Sequence, residues 1–398
     1  MLAVRPVVRL TRVHAAMVAG EAIMAVALAD SMFLSISPTD ARPKVILFLL
    51  LSFAPFTVVA RYIGPVIQRF SGGQRAVIFG VALIRAVLMI GMVNSIHSLA
   101  LFPLAFGALV LSKTYSISKS AMVPQLVEGD ERLVEANSNL AKVAGIIGFA
   151  VGVPAFALQA ISVSVTLYAG TLVFVTAAVQ AWHLPRTSSQ GADDPVAEQQ
   201  ELHSPRVVHA ANTMRFLRGA VGFMFFHLAF WLRSEIAGTA WFAFAVALGN
   251  MSILAANWTA PALRARLRTE TMLTVSLAMV AVCGIAAGIS GVFIAGVLLT
   301  AVVNAAAAIG RVAFEATVQS GASHADKVSA FARFETHNQL AWVAGGLVPV
   351  ILRLNGHAGS WFVGVLGAVG MLVMLRDRGI TGSRGAPATG RARRAPRA

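Results

Sequence analysis

The chain has 398 residues, of which 57% are hydrophobic and 12% are charged, and its mean hydropathy is +0.74. Because an ordinary soluble domain carries roughly 25% charged residues, this composition excludes a soluble globular protein, and the surplus apolar residues must face lipid. The formal net charge of +15 at pH 7 would indicate nucleic acid as a partner in a soluble protein. Here the basic residues lie between long apolar runs, so they indicate membrane topology, and we expect no nucleic acid.

Twelve apolar stretches follow one another along the chain, each long enough, or nearly so, to cross a hydrocarbon layer of about 30 Å as a helix. Backbone groups have no hydrogen-bond partners in lipid, and continuous apolarity favours helices over a barrel of alternating strands. The predicted fold class is therefore an all-α membrane protein with twelve transmembrane helices. We place the spans at residues 13–35, 43–63, 76–96, 98–118, 137–158, 161–183, 213–233, 236–258, 271–290, 292–313, 335–353 and 358–375.

One long polar segment, Leu184 to Ala210, interrupts the apolar pattern. It is rich in Pro, Ser, Gln and acidic residues and has no apolar period, which is typical of a flexible linker. We therefore expect an amino-terminal six-helix bundle over 1–183, a cytoplasmic linker over 184–212, a carboxyl-terminal six-helix bundle over 213–376 and a disordered basic tail over 377–398.

A short string occurs twice in the chain, as "EANSNLAKVAG" from Glu135 to Gly145 and as "ETHNQLAWVAG" from Glu335 to Gly345. Six of the eleven positions agree, and the strings open spans five and eleven, the same place in each half. This repetition indicates two parallel, pseudo-symmetric halves, an arrangement found in a large class of transporters.

Basic residues concentrate in the segments that would be cytoplasmic if the amino terminus were cytoplasmic. The outer loops then hold only Arg42, Lys44, Arg233 and Arg353. By the positive-inside rule both termini are predicted to be cytoplasmic. The preference for Arg over Lys and the abundant Ala favour a bacterial inner membrane as the location. The inner basic residues include Arg5, Arg9, Arg12, Arg69, Arg75, Arg264, Arg266 and Arg268.

The break after span two reads "GPVIQRFSGGQR" and contains a Gly, a basic residue, a glycine pair and a second basic residue. With twelve spans and a central linker, it makes the chain resemble the major facilitator superfamily over essentially its whole length. The resemblance implies that an Asp of this motif holds the two halves together in the outward-facing state. In this chain Gln68 stands in the place of that Asp. The motif residues are Gly64, Gln68, Arg69, Gly72, Gly73 and Arg75.

The stretch around the start of span five resembles the branch of that family that holds bacterial siderophore and macrolide exporters. Leu133, Ala136 and Asn137 match its Leu-x-x-Ala-Asn helix start after an acidic loop. A set of small residues then resembles the Gly-Pro motif of antiporters, although Val153 separates the last Gly from Pro, and small residues also let helices pack closely. These residues are Gly145, Gly148, Gly152 and Pro154.

Three ionisable residues at membrane depth are candidates for proton coupling, because such groups are expensive in lipid and are functional candidates by default. Glu21 lies about 10 Å into the first span, and Arg85 falls midway along span three. The two could form an ion pair, or Glu21 could bond a neighbouring helix. Lys113 lies where the family often has an Arg linked to proton exchange, and it could also reach the inner surface. Asp30 is expected at the outer rim.

We place the substrate cavity between the halves and predict that His227, Phe226, Phe230 and Asn304 line it. His227 titrates near neutral pH in an unperturbed setting, Asn304 can donate hydrogen bonds, and the aromatic side chains suit an amphiphilic substrate. The alternative is that these residues are packing residues or lie at the lipid interface. Further aromatic candidates are Phe223, Phe225, Trp231, Trp241 and Phe242.

Charged residues near the inner ends of spans five, ten and eleven are predicted to be gate residues that form salt bridges in one conformation only. Glu135 and Glu335 occupy equivalent positions of the repeat. The alternative is that both are carboxylates that favour a helix start. The other predicted gate residues are Arg311, Glu315 and Arg333.

The chain has no Walker phosphate loop and no metal-ligand spacing of His and Cys, and it has no catalytic constellation, so we expect no cofactor, metal or enzymatic activity. We expect a monomeric secondary active transporter that exports a small amphiphilic molecule by alternating access in exchange for protons. Two alternatives stay open: a gradient-driven importer or uniporter of an organic solute, and a membrane sensor or assembly factor that does not transport.

Overall fold

The computed structural model describes residues 4–29, 73–96, 98, 100–127, 129–186, 204–232, 235–321, 327–352 and 354–384. Within these residues the chain forms eleven α-helices and one short 3₁₀ turn, Val123–Gln125, and no strand. Predicted span two lies outside the described residues, as does Asp30. The helices are α1 Val4–Ala29, α2 Gly73–Val93, α3 Leu101–Met122, α4 Asp130–Ile161, α5 Val163–Trp182, α6 Pro205–Trp231, α7 Gly238–Arg266, α8 Thr269–Ser290, α9 Phe293–Gly321, α10 Lys327–Ile351 and α11 Gly356–Arg384.

Every described helix overlaps one of the predicted spans, and several helices extend beyond the apolar stretch. Helix α6 begins at Pro205, a residue type favoured in the first helical turn, so residues 205–212, which the sequence assigned to the linker, are helical. Helix α11 continues to Arg384 and includes residues 377–384 of the predicted tail. Hydropathy alone misses these ends because they are polar helical turns outside the apolar layer.

The turn between α4 and α5 shows how local sequence sets the helix boundaries. Gly129, with a φ of 86°, precedes α4, and Asp130 and Glu131 occupy its first turn, where carboxylates interact favourably with the helix dipole. At the other end, Ser162 adopts an extended backbone and its Oγ accepts a hydrogen bond of 3.2 Å from the Ser164 N–H, capping α5. The two helices are therefore joined by a single residue and are antiparallel neighbours.

The same packing pattern occurs twice, once in α1–α5 and once in α6–α11, as the repeated string predicts. The equivalent helix pairs are α1 with α4 and α6 with α10, α1 with α5 and α6 with α11, α2 with α3 and α8 with α9, and α2 with α5 and α8 with α11. The two halves meet through α4 with α7 and α9, and through α3 with α10.

Glycines allow α6 and α10 to approach each other at backbone distance. A Cβ added to Gly222 would overlap the Trp342 carbonyl, and one added to Gly345 would overlap the Gly219 carbonyl. In the amino-terminal half the equivalent repeat glycine, Gly145, instead faces Leu254 of the other half. The last glycine of the repeated string therefore makes a contact within one half at Gly345 and a contact between the halves at Gly145.

Eight of the eleven described helices are long and apolar enough to cross a membrane by length and composition. The other three are α3, α6 and α10. Apolar side chains on the outer helices are exposed, as expected of a multi-pass membrane protein whose surface contacts lipid. Exposed examples are Val153, Phe156, Leu172, Val282 and Leu372.

We call one end of the molecule the linker end. It holds the end of α5, the start of α6, and the other helix ends that contact them. Arg9 Nη1 of α1 donates to the His183 carbonyl at 3.1 Å, and Arg206 of α6 contacts the starts of α4 and α8. The linker end is the side that the positive-inside rule predicts to be cytoplasmic.

Candidate functional site

A cavity of about 600 Å³ lies between the two halves, lined by α1, α3 and α4 on one side and by α6, α7 and α9 on the other. On α4 the lining runs from Asn137 to Phe149, which is about 18 Å along the helix axis. The cavity therefore extends from near the linker end past the middle of the helices. Its apolar wall includes Ala141, Ala144, Phe149, Val221, Ile253, Leu254, Ala308 and Val312.

The charged lining of the cavity is mainly cationic. Lys119, Arg218 and Arg311 face it from α3, α6 and α9, and Glu315 is the single carboxylate among the lining residues. Arg311 Nε donates to Glu315 Oε1 at 2.9 Å, and its Nη2 lies 4.0 Å from Glu335 Oε2. Both carboxylates therefore contact Arg311 directly, whereas neither forms an ion pair with Lys119 or Arg218 in the described residues.

Four asparagines add neutral hydrogen-bonding groups to the cavity wall. The amide of Asn304 donates to the Thr300 carbonyl at 2.9 Å, and that of Asn250 donates to the Val246 carbonyl at 2.9 Å. These bonds hold each side chain against its own helix. Asn137 and Asn257 lie at the floor of the cavity and are buried.

The floor is closed by polar contacts that join the two halves, which we call the inter-half seal. Asn137 Nδ2 donates to Gln319 Oε1 at 2.8 Å, and Gln319 Nε2 donates to the Ser120 carbonyl at 2.9 Å. The Ser138 hydroxyl donates to the Asn257 carbonyl. Gln319 thus bridges α9 to both α3 and α4 near the linker end.

A cluster of ion pairs at the linker end also crosses between the halves. Arg206 Nη2 lies 2.7 Å from Asp130 Oδ2, and its Nε lies 2.9 Å from Glu270 Oε1. Arg264 Nη2 is 3.9 Å from the same oxygen of Asp130. The groups are partly exposed, so each pair contributes little on its own. The pair of Arg206 with Glu270 lies within the carboxyl-terminal half, but the two pairs made by Asp130 must separate if the halves part at this end.

Within the amino-terminal half, Glu21 and Arg85 form an ion pair. Arg85 Nη1 donates to Glu21 Oε1 at 2.7 Å, and the Ser112 hydroxyl donates to the same oxygen at 2.6 Å. Arg85 is buried and its guanidinium lies 4.4 Å from the centre of the Phe174 ring. About a third of the Glu21 side chain (35%) is exposed, whereas the Arg85 side chain is fully buried.

The structure corrects most of the predicted cavity residues. His227 is buried and stacked between Phe223 and Trp231, while Phe226 packs against Trp342. These side chains and Phe230 are absent from the cavity lining, and Asn304 alone of the four candidates faces it. The physical reason is that α6 turns its aromatic face toward α10 and α11 and its Arg218 face toward the cavity.

The predicted gate residues Glu135 and Glu335, which occupy equivalent positions of the repeat, do not make equivalent contacts. Glu335 contacts Arg311 within the carboxyl-terminal half, and Glu135 is exposed at the linker end. Arg333 faces a separate groove between α6 and α10. The described contacts between halves instead use Asn137, Gln319 and the ion-pair cluster.

The motif after predicted span two is described only in part, because Gly64, Gln68 and Arg69 lie outside the described residues. Gly73 starts α2 with a φ of 58°, which a glycine adopts without strain. Arg75 Nη1 donates to the Trp182 carbonyl at 3.4 Å, and its guanidinium lies 5.0 Å from the centre of the Trp182 ring. Arg75 therefore ties α2 to α5 within one half.

Lys113, the third proton-coupling candidate, lies on α3 and interacts electrostatically with Glu335 of the other half and with Glu21. Lys119 and Arg218 were not among the predicted site residues. Arg218 lies inside predicted span seven, so the depth criterion that selected Glu21 applies to it, whereas Lys119 lies one residue beyond predicted span four. His14 was also missed: its Nδ1 lies 2.9 Å from the Tyr115 hydroxyl at the cavity wall. A cation within an apolar span was the signal available for Arg218, and no such signal was available for Lys119.

Comparison with known proteins finds relatives among mycobacteria. No protein-family model matches the chain. It is 28% identical to the uncharacterized protein ML2143 of Mycobacterium leprae, over 88% of this chain and 68% of that protein. It is also 36% identical to the uncharacterized protein Rv0876c of Mycobacterium tuberculosis, but over only 32% of this chain. The chain spans about a quarter (24%) of the length of that second relative.

Solved structures resemble the fold over nearly the whole chain. The human organic anion transporter MFSD10 matches 94% of this chain and 99% of its own, with a TM-score of 0.67 and 12% identity. The Escherichia coli fucose:proton symporter FucP has a TM-score of 0.70 at 11% identity, with coverage of 94% and 99%. A bacterial homologue of ferroportin in an outward-facing state has a TM-score of 0.68 at 16% identity, with coverage of 95% and 99%. The chain therefore has the all-α major facilitator fold, and the eleven helices of the described residues form its two pseudo-symmetric halves.

Proposed function

We propose that the chain is a secondary active transporter that moves a small organic molecule across a bacterial inner membrane by alternating access. The observation that carries the proposal is the cavity, which lies between the halves and is closed at the linker end by contacts that each join one half to the other. Such contacts can break without disturbing either bundle. The solved structures that share the fold include a symporter and an organic anion transporter, which supports the same class of function.

The proposed orientation places both termini and the linker in the cytoplasm. The closed linker end then makes the present conformation outward-facing, and the cycle requires the inter-half seal to open and the opposite end to close. The excess of basic residues in the inner segments supports this orientation. An exporter would load its substrate when the seal is open and release it in the conformation described here.

We assign proton coupling to Glu21. Its Oε1 accepts hydrogen bonds from both Arg85 and Ser112, and a proton taken up by this carboxylate would compete with the ion pair. Protonation and pairing therefore exclude each other, which is the property a coupling group needs to link proton occupancy to the packing of α1, α2 and α3. Glu21 is partly exposed, which supports access of a proton to its carboxylate.

Proton flux in proteoliposomes tests this function. Vesicles with an imposed pH gradient and an internal pH dye would receive matched amphiphilic compounds that carry an anionic, neutral or cationic group. We expect one class to dissipate the gradient in wild type, Glu21→Asp to retain coupling, and Glu21→Gln to lose it while still folding, because the Gln amide oxygen still accepts from Arg85. Equal responses in wild type and Glu21→Gln would move proton coupling to another residue.

Removing the Gln319 side chain, which accepts one hydrogen bond of the inter-half seal and donates another, should favour opening at the linker end. Gln319→Ala deletes the hydrogen bonds to Asn137 and Ser120, which contribute about 1 kcal/mol each, so the open population should rise about 10- to 30-fold. In a Cys283→Ala background, the alkylation rate of Ser120→Cys by an impermeant maleimide in inside-out vesicles reports this change. Ser320→Ala, one residue further along α9, is the matched control. An unchanged alkylation rate would show that Gln319 does not hold the linker end closed.

A further inference from the structure

We infer that the cavity binds an organic anion, with its acidic group between Lys119 and Arg218 and its apolar body along the wall of α4 and α7. This inference rests on the proposed transport function and names the substrate class of the same site. Three cations and one carboxylate line the cavity.

The excess of positive charge persists when the groups just behind the lining are counted. Glu335 lies behind Arg311, and Lys113 interacts with Glu335. Four cations then face two carboxylates, Glu315 and Glu335, while the pair of Glu21 with Arg85 is neutral. The chain has no acidic residue between Asp40 and Glu128, so predicted span two cannot supply a further carboxylate.

Lys119 and Arg218 are the groups that this excess leaves available. Among the described residues, neither forms a hydrogen bond or an ion pair within 4.0 Å through its side chain. The carboxylates that interact with them, Glu315 and Glu335, are both in contact with Arg311. A cation held in a partly dehydrated cavity without a partner is unfavourable, and a bound anion removes that penalty.

The shape and chemistry of the rest of the cavity indicate an organic rather than an inorganic anion. A volume of about 600 Å³ is in the range of pockets that hold drug-sized ligands. Ala141, Ala144, Ile253 and Leu254 form an apolar wall opposite the cations. An Arg fork recognises the planar oxygens of a carboxylate, and phosphate or sulfonate oxygens satisfy the same donors.

Binding of one apolar skeleton in three charge states tests the inference without a transport assay. Naphthyl-pentanoate, naphthyl-pentanol and naphthyl-pentylamine would be titrated into the detergent-purified full chain, with Kd measured by isothermal calorimetry. We expect the carboxylate to bind at least about tenfold more tightly than the alcohol and the amine to bind weakest. Lys119→Gln and Arg218→Gln should each weaken carboxylate binding about tenfold and leave the alcohol unchanged.

Matched variants separate charge recognition from folding. Arg215→Gln removes a cation three residues from Arg218 on the same helix but outside the cavity lining, and it should leave carboxylate binding unchanged. Lys119→Arg and Arg218→Lys keep the charge and should restore most of the affinity. Equal binding of acid and alcohol, preference for the amine, or no binding of any form at millimolar concentration would overturn the inference. The transport proposal would survive a preference for the amine, since proton flux tests it separately.

Discussion

Gly222→Leu is expected to prevent the carboxyl-terminal half from assembling, and this is the largest single-residue effect that the structure predicts. A side chain at this position would overlap the carbonyl, the carbonyl carbon and the Cα of Trp342, all of which are backbone atoms of α10. A side chain could rotate away, but a helical backbone cannot, so α6 and α10 would have to separate. Overpacking usually costs about 1–3 kcal/mol, and we expect the upper end of that range or more here.

The yield of monodisperse protein and its thermal denaturation measure this effect. Gly80→Leu is the control, because a Cβ at Gly80 of α2 would meet no heavy atom within 4 Å. We expect near-normal yield and melting for Gly80→Leu, an intermediate loss for Gly222→Ala, and little folded protein for Gly222→Leu. Normal melting of Gly222→Leu would mean that α6 and α10 do not pack at backbone distance.

The second large effect concerns the ion pair in the amino-terminal half. Removing one partner of a buried pair leaves an uncompensated charge and costs about 3–5 kcal/mol. Arg85 is 1% exposed, whereas the Glu21 side chain is 35% exposed. We therefore expect Glu21→Leu, which strands the fully buried guanidinium, to destabilise the protein more than Arg85→Leu, which leaves a partly exposed carboxylate.

A double-mutant cycle tests this order. Glu21→Leu with Arg85→Leu should recover most of the stability lost in Glu21→Leu, because replacing both partners by apolar residues removes the stranded charge. Thermal denaturation in one detergent gives the four melting temperatures. If the two single variants melt equally, or if the double variant melts at the sum of their losses, the pair does not behave as a buried ion pair.

The apolar spans and the repeated string were sufficient to predict the fold, because lipid forces every apolar stretch into a helix and duplication repeats the packing. The depth criterion also selected Glu21 and Arg85, which the structure joins at 2.7 Å. A charge buried at that depth needs a partner, and few were available in the first half. The helices, their repeated packing and the ion pair could therefore be predicted from local sequence patterns.

The cavity lining was predicted less well, because it depends on which face each helix turns inward. On α6, Phe226, Phe230 and Arg218 lie in one apolar span, and a helix apolar on all sides gives no period that separates the lipid, packing and cavity faces. The pairing of Asp130 with Arg206 joins residues 76 positions apart. No local sequence pattern indicates this pairing, because the two residues come together only when the two halves pack against each other.

The central claim, that the two halves rock about the cavity, is tested most directly by two distances on the same helix pair. In a Cys283→Ala background, one sample would carry spin labels at Glu131→Cys and Ala265→Cys, at the linker ends of α4 and α7. The other would carry them at Ile161→Cys and Ile236→Cys, at the opposite ends; all four side chains are exposed. Distance distributions would be recorded by pulsed electron paramagnetic resonance in nanodiscs at acidic and alkaline pH, and in Gln319→Ala.

Alternating access predicts two populations in each sample, with the linker-end distance lengthening under the conditions in which the opposite distance shortens. Gln319→Ala should enrich the population that is open at the linker end. A single unchanged distance at both ends under every condition would contradict alternating access and would favour a protein that keeps one exposed face, such as a membrane sensor.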